Sequence, residues 1–243
     1  MAGDLSASPV RALVFDLDGT LTDSDPLHHQ AFAAALALFG LAMSEERYRT
    51  EVSGRTNAAI CRLLFPHGTQ AEHRRFAEGK ESRFRDLASR LERLPGLTYL
   101  LAFAAGRGLP TALVTNAPRA NAEHMLRGLD LEGGFTVMVL AEEVDRPKPD
   151  PMPYRLAAER LGIAPGEAVA FEDSVAGVRS ASAAGLVTFG VTTSQTAATL
   201  RSAGADHAIA DFEDPLLWDL LEGSMIEGTA DSRPEDMDHA HSI

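Results

Sequence analysis

The chain has 243 residues, enough for one large domain or for a core that carries an inserted partner. Apolar residues make up 45% and charged residues 23%, proportions that exclude wholesale disorder, a collagen-like repeat and a disulfide scaffold. With 22 basic against 35 acidic residues the formal charge is -13, which repels a phosphate backbone, so nucleic acid is not an expected partner.

The single cysteine, Cys61, lies in an apolar helical pattern and is expected as a small buried hydrophobe in a reducing compartment. The longest apolar stretch, 31–43, is interrupted by Gly40 and is far shorter than the roughly 20 residues that span a bilayer. The first residues carry no basic and apolar export pattern. The expectation is a cytoplasmic protein without a membrane partner, acting as a monomer or weak homo-oligomer.

In chain order, residues 10–15 form a nearly continuous run of apolar and β-branched side chains that stops at a turn signal, as a buried strand does. Residues 24–94 then contain no credible strand. Their spacing predicts amphipathic helices at 26–39 and 58–64, and one or two more across 72–94. Further short strands are predicted at 111–114, 135–140, 168–171 and 187–191, separated by helical spacing such as 154–161 and 175–184. This alternation implies right-handed crossovers and a parallel sheet covered on both faces. The expected fold is therefore α/β: a Rossmann-like core from 9–23 and 95–222, with an inserted α-helical cap at 24–94. Stretches 23–26 and 94–96 carry the breaker residues of a two-part hinge. Residues 223–243 are polar and acidic and read as a disordered tail, in which His239 and His241 have no dedicated partner.

Chemistry in an open parallel sheet sits at the carboxyl ends of its strands. The first strand runs into Asp16-Leu17-Asp18-Gly19, where period-two geometry aims Asp16 and Asp18 to one side. An Asp-Gly pair alone is an ordinary turn. Two carboxylates so close after a buried strand, however, need a cation or a shared proton, and Mg2+ is the natural neutraliser. After the second strand comes Thr115-Asn116-Ala117-Pro118, suited to capping a helix and equally to holding an anion at its start. Lys148 is set between two prolines that stiffen its backbone. The fourth strand ends in Glu172-Asp173, an acidic pair that the following helix start favours in any case, but which stands at the same sheet edge. Carboxylates at one crevice suit octahedral Mg2+; zinc would want His or Cys.

These residues resemble the haloacid dehalogenase superfamily through four ordered signatures: Asp16-Leu-Asp-Gly-Thr-Leu, Val114-Thr-Asn, Arg146-Pro-Lys-Pro-Asp-Pro and Phe171-Glu-Asp-Ser-Val-Ala-Gly. The match spans residues 10 to about 193, and the helical insert after the first signature is that of the branch containing β-phosphoglucomutase-like proteins and sugar-phosphate phosphatases. The resemblance implies that Asp16 is a nucleophile forming an aspartyl-phosphate, and that Asp18 is the acid and base. It also implies that Mg2+ is held by Asp16, the Asp18 carbonyl and Asp173, with Glu172 beside or on the metal. Thr115, Asn116, Ala117 and Lys148 would bind the phosphoryl group. In the insert, the Gly54, Arg55 and Asn57 turn, Lys80 and His28 fall where similar proteins touch a small phosphorylated substrate. β-Phosphoglucomutase carries an arginine where this chain has Asn57, so the resemblance favours hydrolysis over mutase chemistry. A phosphorylatable switch of the receiver type is the more distant alternative, set against by the insert and by the nucleophile's place on the first strand.

Overall fold

The computed structural model of the chain describes residues 9–228. Six strands form one parallel sheet: β1 (Ala12–Phe15), β2 (Thr111–Thr115), β3 (Val137–Leu140), β4 (Ala168–Glu172), β5 (Val187–Val191) and β6 (His207–Ile209). Their spatial order is β3-β2-β1-β4-β5-β6. β1, β2, β4 and β5 are buried along their whole length, which is why each reads in sequence as an unbroken apolar run. The short β6 adds to the five strands expected.

Alternate residues of β1 enter two different cores. Leu13 and Phe15 join one cluster with Phe171, Phe189 and Phe212, in which the Phe15 and Phe171 rings stack with centroids 5.0 Å apart. Val14 joins the other with Ala170, Tyr154 and Ala181. The helices on these faces are α5 (Leu97–Gly106), α6 (Arg119–Gly128), α7 (Met152–Leu161), α8 (Val175–Ala184), α9 (Ala197–Ala203) and α10 (Pro215–Gly228). β1 pairs with β2 on one side and β4 on the other, so its carboxyl end is the point where the strand order reverses.

Between β1 and α5 the chain is helical. It comprises α1 (Asp25–Ala37), α2 (Glu45–Arg47) running into a π turn at Tyr48–Val52, α3 (Asn57–Leu64) and α4 (Gln70–Leu87). These elements enclose a hydrophobic cluster of their own, including Phe32, Tyr48, Ile60, Cys61 and Phe76. The Cys61 thiol is accordingly a buried core group. Thr56 caps α3 by accepting the Ala59 N–H, and Thr69 with Glu72 forms a reciprocal capping box on α4. One helix, ending at Leu87, occupies the stretch where one or two were expected.

The end of the chain needs a correction. α10 continues to Gly228, six residues into the stretch expected to be tail, because Leu217 and Leu221 anchor it to the core. His239, His241 and the rest of the expected tail lie outside the described residues. Among the described residues no helix is long and apolar enough to cross a membrane.

Candidate active site

The register of β1 against β4 builds the site. Phe15 is opposite Phe171, so the next residues, Asp16 and Glu172, reach the sheet edge together, and the Asp16 N–H donates to the Phe171 carbonyl at 3.0 Å. Asp173 follows, and the carboxylate oxygens of Asp16, Glu172 and Asp173 lie within 4.8 Å of one another, all three side chains buried. Gly19 and Gly177 permit this crowding. Gly19 turns back with φ 71°, and a Cβ there would overlap Asp173 Oδ2; a Cβ at Gly177 would overlap the Glu172 carboxylate.

Among the described residues, one cation, Lys148, bonds to two of these three acids. Lys148, from the loop after β3, donates to Asp16 Oδ1 at 2.7 Å, to the Val114 carbonyl at 2.7 Å and to Glu172 Oε1. An ammonium has three protons, so this Lys148 is fully engaged. Tyr154 adds its hydroxyl to Glu172 Oε1 at 2.6 Å, and Ser174 donates to Oε2 at 3.3 Å. Glu172 is thus braced on both oxygens and wholly buried.

The electrostatics follow from burial. Loss of water pushes the Asp16 carboxyl from the usual 3.8 up to about 8; Lys148 pulls it down, and Glu172 and Asp18 add to the rise. Burial likewise drives Asp173 well above the ordinary carboxylate range, helped by Asp16, Asp25 and Glu172. Burial disfavours the Lys148 charge, but Asp16 and Glu172 outweigh it and hold the ammonium above its usual value. Three acids with one lysine leave surplus negative charge, and every ligand on offer is an oxygen. That donor set fits a hard divalent cation such as Mg2+.

Asp18 stands apart from this cluster. Its Oδ1 accepts the Ser24 hydroxyl at 2.6 Å and His28 Nε2 at 2.9 Å, so its side chain faces the insert; the metal ligand expected of it is its main-chain carbonyl. Lys80 Nζ lies 3.3 Å from His28 Nδ1. Because an ammonium can only donate, Nδ1 accepts and Nε2 carries the proton given to Asp18. Burial raises the Asp18 carboxyl, but His28, Ser24 and Lys80 together outweigh it and leave it below the usual value.

Of the thirteen site residues expected from sequence, all but Glu172 line a single cavity between the sheet edge and the helical insert: Asp16, Asp18, His28, Gly54, Arg55, Asn57, Lys80, Thr115, Asn116, Ala117, Lys148 and Asp173. Glu172 lies directly behind them. Two groups point otherwise than expected. The Asn116 amide donates to the Gly54 carbonyl at 2.9 Å and the Lys148 carbonyl at 3.3 Å, which fixes its orientation and ties the sheet edge to the insert, not to a phosphoryl oxygen. The Ala117 N–H donates to Thr115 Oγ1 at 3.0 Å. Among the described residues no donor reaches the buried Asn116 Oδ1.

Sequence reasoning missed Glu81, Asn121, Tyr154 and Ser24. Glu81 is buried beside Lys80 and bonds to it at 2.7 Å; it also accepts Asn57 Nδ2 at 2.7 Å and Asn121 Nδ2 at 2.5 Å. A carboxylate on an apolar helix face was the available signal for Glu81; nothing in the sequence marks Tyr154.

A parallel sheet whose central strand delivers a buried aspartate to a lysine and two further acids, beneath a helical insert, has the α/β Rossmann-like architecture of the haloacid dehalogenase type. The model of the haloacid dehalogenase-like hydrolases matches residues 10–185, and the chain belongs to that family, in agreement with its four motifs. It is 35% identical over 181 residues to the phosphorylated carbohydrates phosphatase of Thermotoga maritima, covering 73% of this chain and 82% of that protein. It is 37% identical over 193 residues to hexitol phosphatase A of Escherichia coli, covering 72% and 80%. The solved structure of CbbY from Rhodobacter sphaeroides in complex with phosphate aligns with a TM-score of 0.75 at 29% identity, over 84% of this chain and 96% of that one. With phosphatase relatives of this kind, the chain is an enzyme of the phosphoric monoester hydrolase class.

Proposed function

We propose that the protein is a Mg2+-dependent phosphatase of small phosphorylated carbohydrates that works through an aspartyl-phosphate. The observation that carries this reading is the convergence of Asp16, Glu172 and Asp173, with Lys148 bonded to the first two and Asp18 held separately on a histidine. Asp16 and Asp173 would hold the ion, and Glu172, committed to Lys148, Tyr154 and Ser174, would support them from behind. When bound, Mg2+ offsets the charge of nucleophile and phosphate, so that two anions can approach.

The residues then divide the work. An Asp16 oxygen attacks phosphorus as the bond from phosphorus to the ester oxygen breaks, and the leaving oxygen takes a proton through Asp18, which is ionised against Ser24 and His28 in the resting site and must first take that proton up. In the second step Asp18 takes a proton from water, whose oxygen attacks phosphorus and frees inorganic phosphate, restoring Asp16. Lys148 and the Thr115 hydroxyl stabilise the transferring group. Residues 24–94 act as a cap, held to the core by the Asn116 bond to Gly54, and exclude bulk water during the reaction.

Hydrolysis is favoured over a mutase cycle by the distribution of cations. A bisphosphate intermediate needs a second anion anchor; Lys148 is engaged by Asp16 and Glu172 and Lys80 by Glu81, which leaves the exposed Arg55, without an acidic partner among the described residues, as the one cavity cation for that role and no buried one. The test is phosphate release from a panel of sugar and polyol phosphates, with and without Mg2+. Wild-type enzyme is expected to release phosphate only with the metal, and Asp16→Asn to release none while keeping its far-UV spectrum. Metal-independent turnover, or an active Asp16→Asn, would overturn the reading.

A further inference from the structure

The insert's side of the cavity carries an acid that neither proposed chemical step uses. Glu81 is 6% exposed and lines the cavity from α4, facing the core helix α6. Its three partners are fixed: Asn57 and Lys80 on Oε1, Asn121 on Oε2. Asn121 is in turn oriented by Arg85, which donates to its Oδ1 at 2.7 Å.

The consequence for Lys80 is that its ammonium is spent. Besides Glu81 it reaches His28 Nδ1 at 3.3 Å and lies 4.6 Å from the centre of the Phe32 ring. The Lys80–Glu81 pair carries no net charge and so offers an incoming anion less attraction than an unpaired lysine would. The cavity lining offers acceptors in its place: among the described residues the buried Oδ1 of Asn116 has no donor, and Glu81 itself has lone-pair capacity left after three bonds. Acceptors in a partly dehydrated wall call for hydroxyl donors and disfavour a carboxylate or a second phosphate.

From this arrangement we infer that Glu81 is a specificity-determining residue that selects neutral, hydroxylated phosphate monoesters and rejects esters bearing a second anionic group. The inference rests on the phosphatase reading above. It differs from a purely structural role for Glu81, which would affect all substrates alike.

Glycerol 3-phosphate and 3-phosphoglycerate make the comparison, since they differ only in a CH2OH group against a carboxylate. Wild-type enzyme with Mg2+ is expected to favour the former in kcat/KM by about tenfold or more, the scale of one unfavourable charge contact at intermediate dielectric. Glu81→Gln, which frees Lys80, is expected to reduce that preference by about fivefold or more, and Glu81→Asp to hold it within about twofold. The ratio is internal to each preparation, so a partly unfolded variant does not distort it. An unchanged ratio in Glu81→Gln would overturn the inference while wild-type hydrolysis leaves the phosphatase reading standing. Hydrolysis of neither ester by wild type would overturn the selectivity, and it would overturn the phosphatase reading too if the sugar phosphates of the panel also released no phosphate. Should Glu81→Gln not fold, inhibition of wild type by each ester decides the matter: equal inhibition constants overturn the proposal, and weaker inhibition by 3-phosphoglycerate supports it.

Discussion

Lys148 Nζ lies 2.7 Å from Asp16 Oδ1, although 132 residues separate the two in the chain. The same ammonium reaches Glu172 and the Val114 carbonyl, so one side chain joins the ends of three strands. Removing it leaves two buried carboxylates without their cation, which costs far more than the bond is worth. Lys148→Met is therefore expected to destabilise the protein by about 3–5 kcal/mol in metal-free buffer and to abolish turnover. Urea denaturation with and without Mg2+ checks this, and a metal-free loss below about 1 kcal/mol would show that the acids are relieved in some other way.

Gly19 is the second sensitive point. It has φ 71° and no room for a Cβ against Asp173 Oδ2, so Gly19→Ala combines backbone strain with displacement of a proposed metal ligand. The expected cost is about 2–5 kcal/mol. A ligand present at a hundred times its dissociation constant adds about 2.7 kcal/mol to stability, and wild type should show an increment of that kind on adding Mg2+. Thermal unfolding should find it absent in Gly19→Ala and in Asp173→Asn. An undiminished Mg2+ shift in Asp173→Asn would remove Asp173 from the ligand set.

Asn116 tests the cap. Its amide bonds to the Gly54 carbonyl across the cavity and to the Lys148 carbonyl, so Asn116→Ala removes a tie between sheet edge and insert and one main-chain bond to Lys148, while the Thr115 hydroxyl and the bonds of the Lys148 ammonium are kept. KM should rise by roughly three- to thirtyfold, the equivalent of one lost hydrogen bond of about 1–2 kcal/mol, with a smaller change in kcat. A loss confined to kcat would instead point to a role against the phosphoryl group. Steady-state kinetics on one sugar phosphate separates the outcomes.

These particulars show what the chain disclosed before its structure was known. Asp16, Thr115, Glu172 and Asp173 were legible because buried parallel strands are continuous apolar runs, so the first polar residue after each marks the sheet edge where ligands bind. Glu81 and Asn121 were not, because their bond joins two helices 40 residues apart, and helical periodicity says which face is buried without saying what it meets. Tyr154 sits 18 residues from Glu172 in a helix whose inward face looks like ordinary core. β6 was missed because three residues, only one of them fully buried, leave no run to detect. The tail boundary was set too early because composition changes before helix α10 stops: Leu217 and Leu221 still hold its first turns to the core.

The buried charge network around Glu81 also gives stability a pH dependence with a definite sign. Burial raises this carboxyl, but Lys80, His28 and the amide of Asn57 together outweigh it, so its folded pKa lies below the usual 4.5. The groups facing it are Lys80 on its own helix, His28 on α1, Asn57 on α3 and Asn121 on α6, with Arg85 behind Asn121. A carboxyl whose folded pKa is depressed stabilises the protein fully above its unfolded value and loses that contribution as pH falls through the folded one. Wild type should thus exceed Glu81→Gln in stability by about 1–3 kcal/mol at pH 7, and the gap should narrow steadily below about pH 4.5. Guanidinium denaturation of both proteins between pH 3.5 and 7 measures the gap. A difference that stays constant over this range would mean that the ionisation of Glu81 contributes nothing to stability, so that the gap comes from shape and neutral hydrogen bonding.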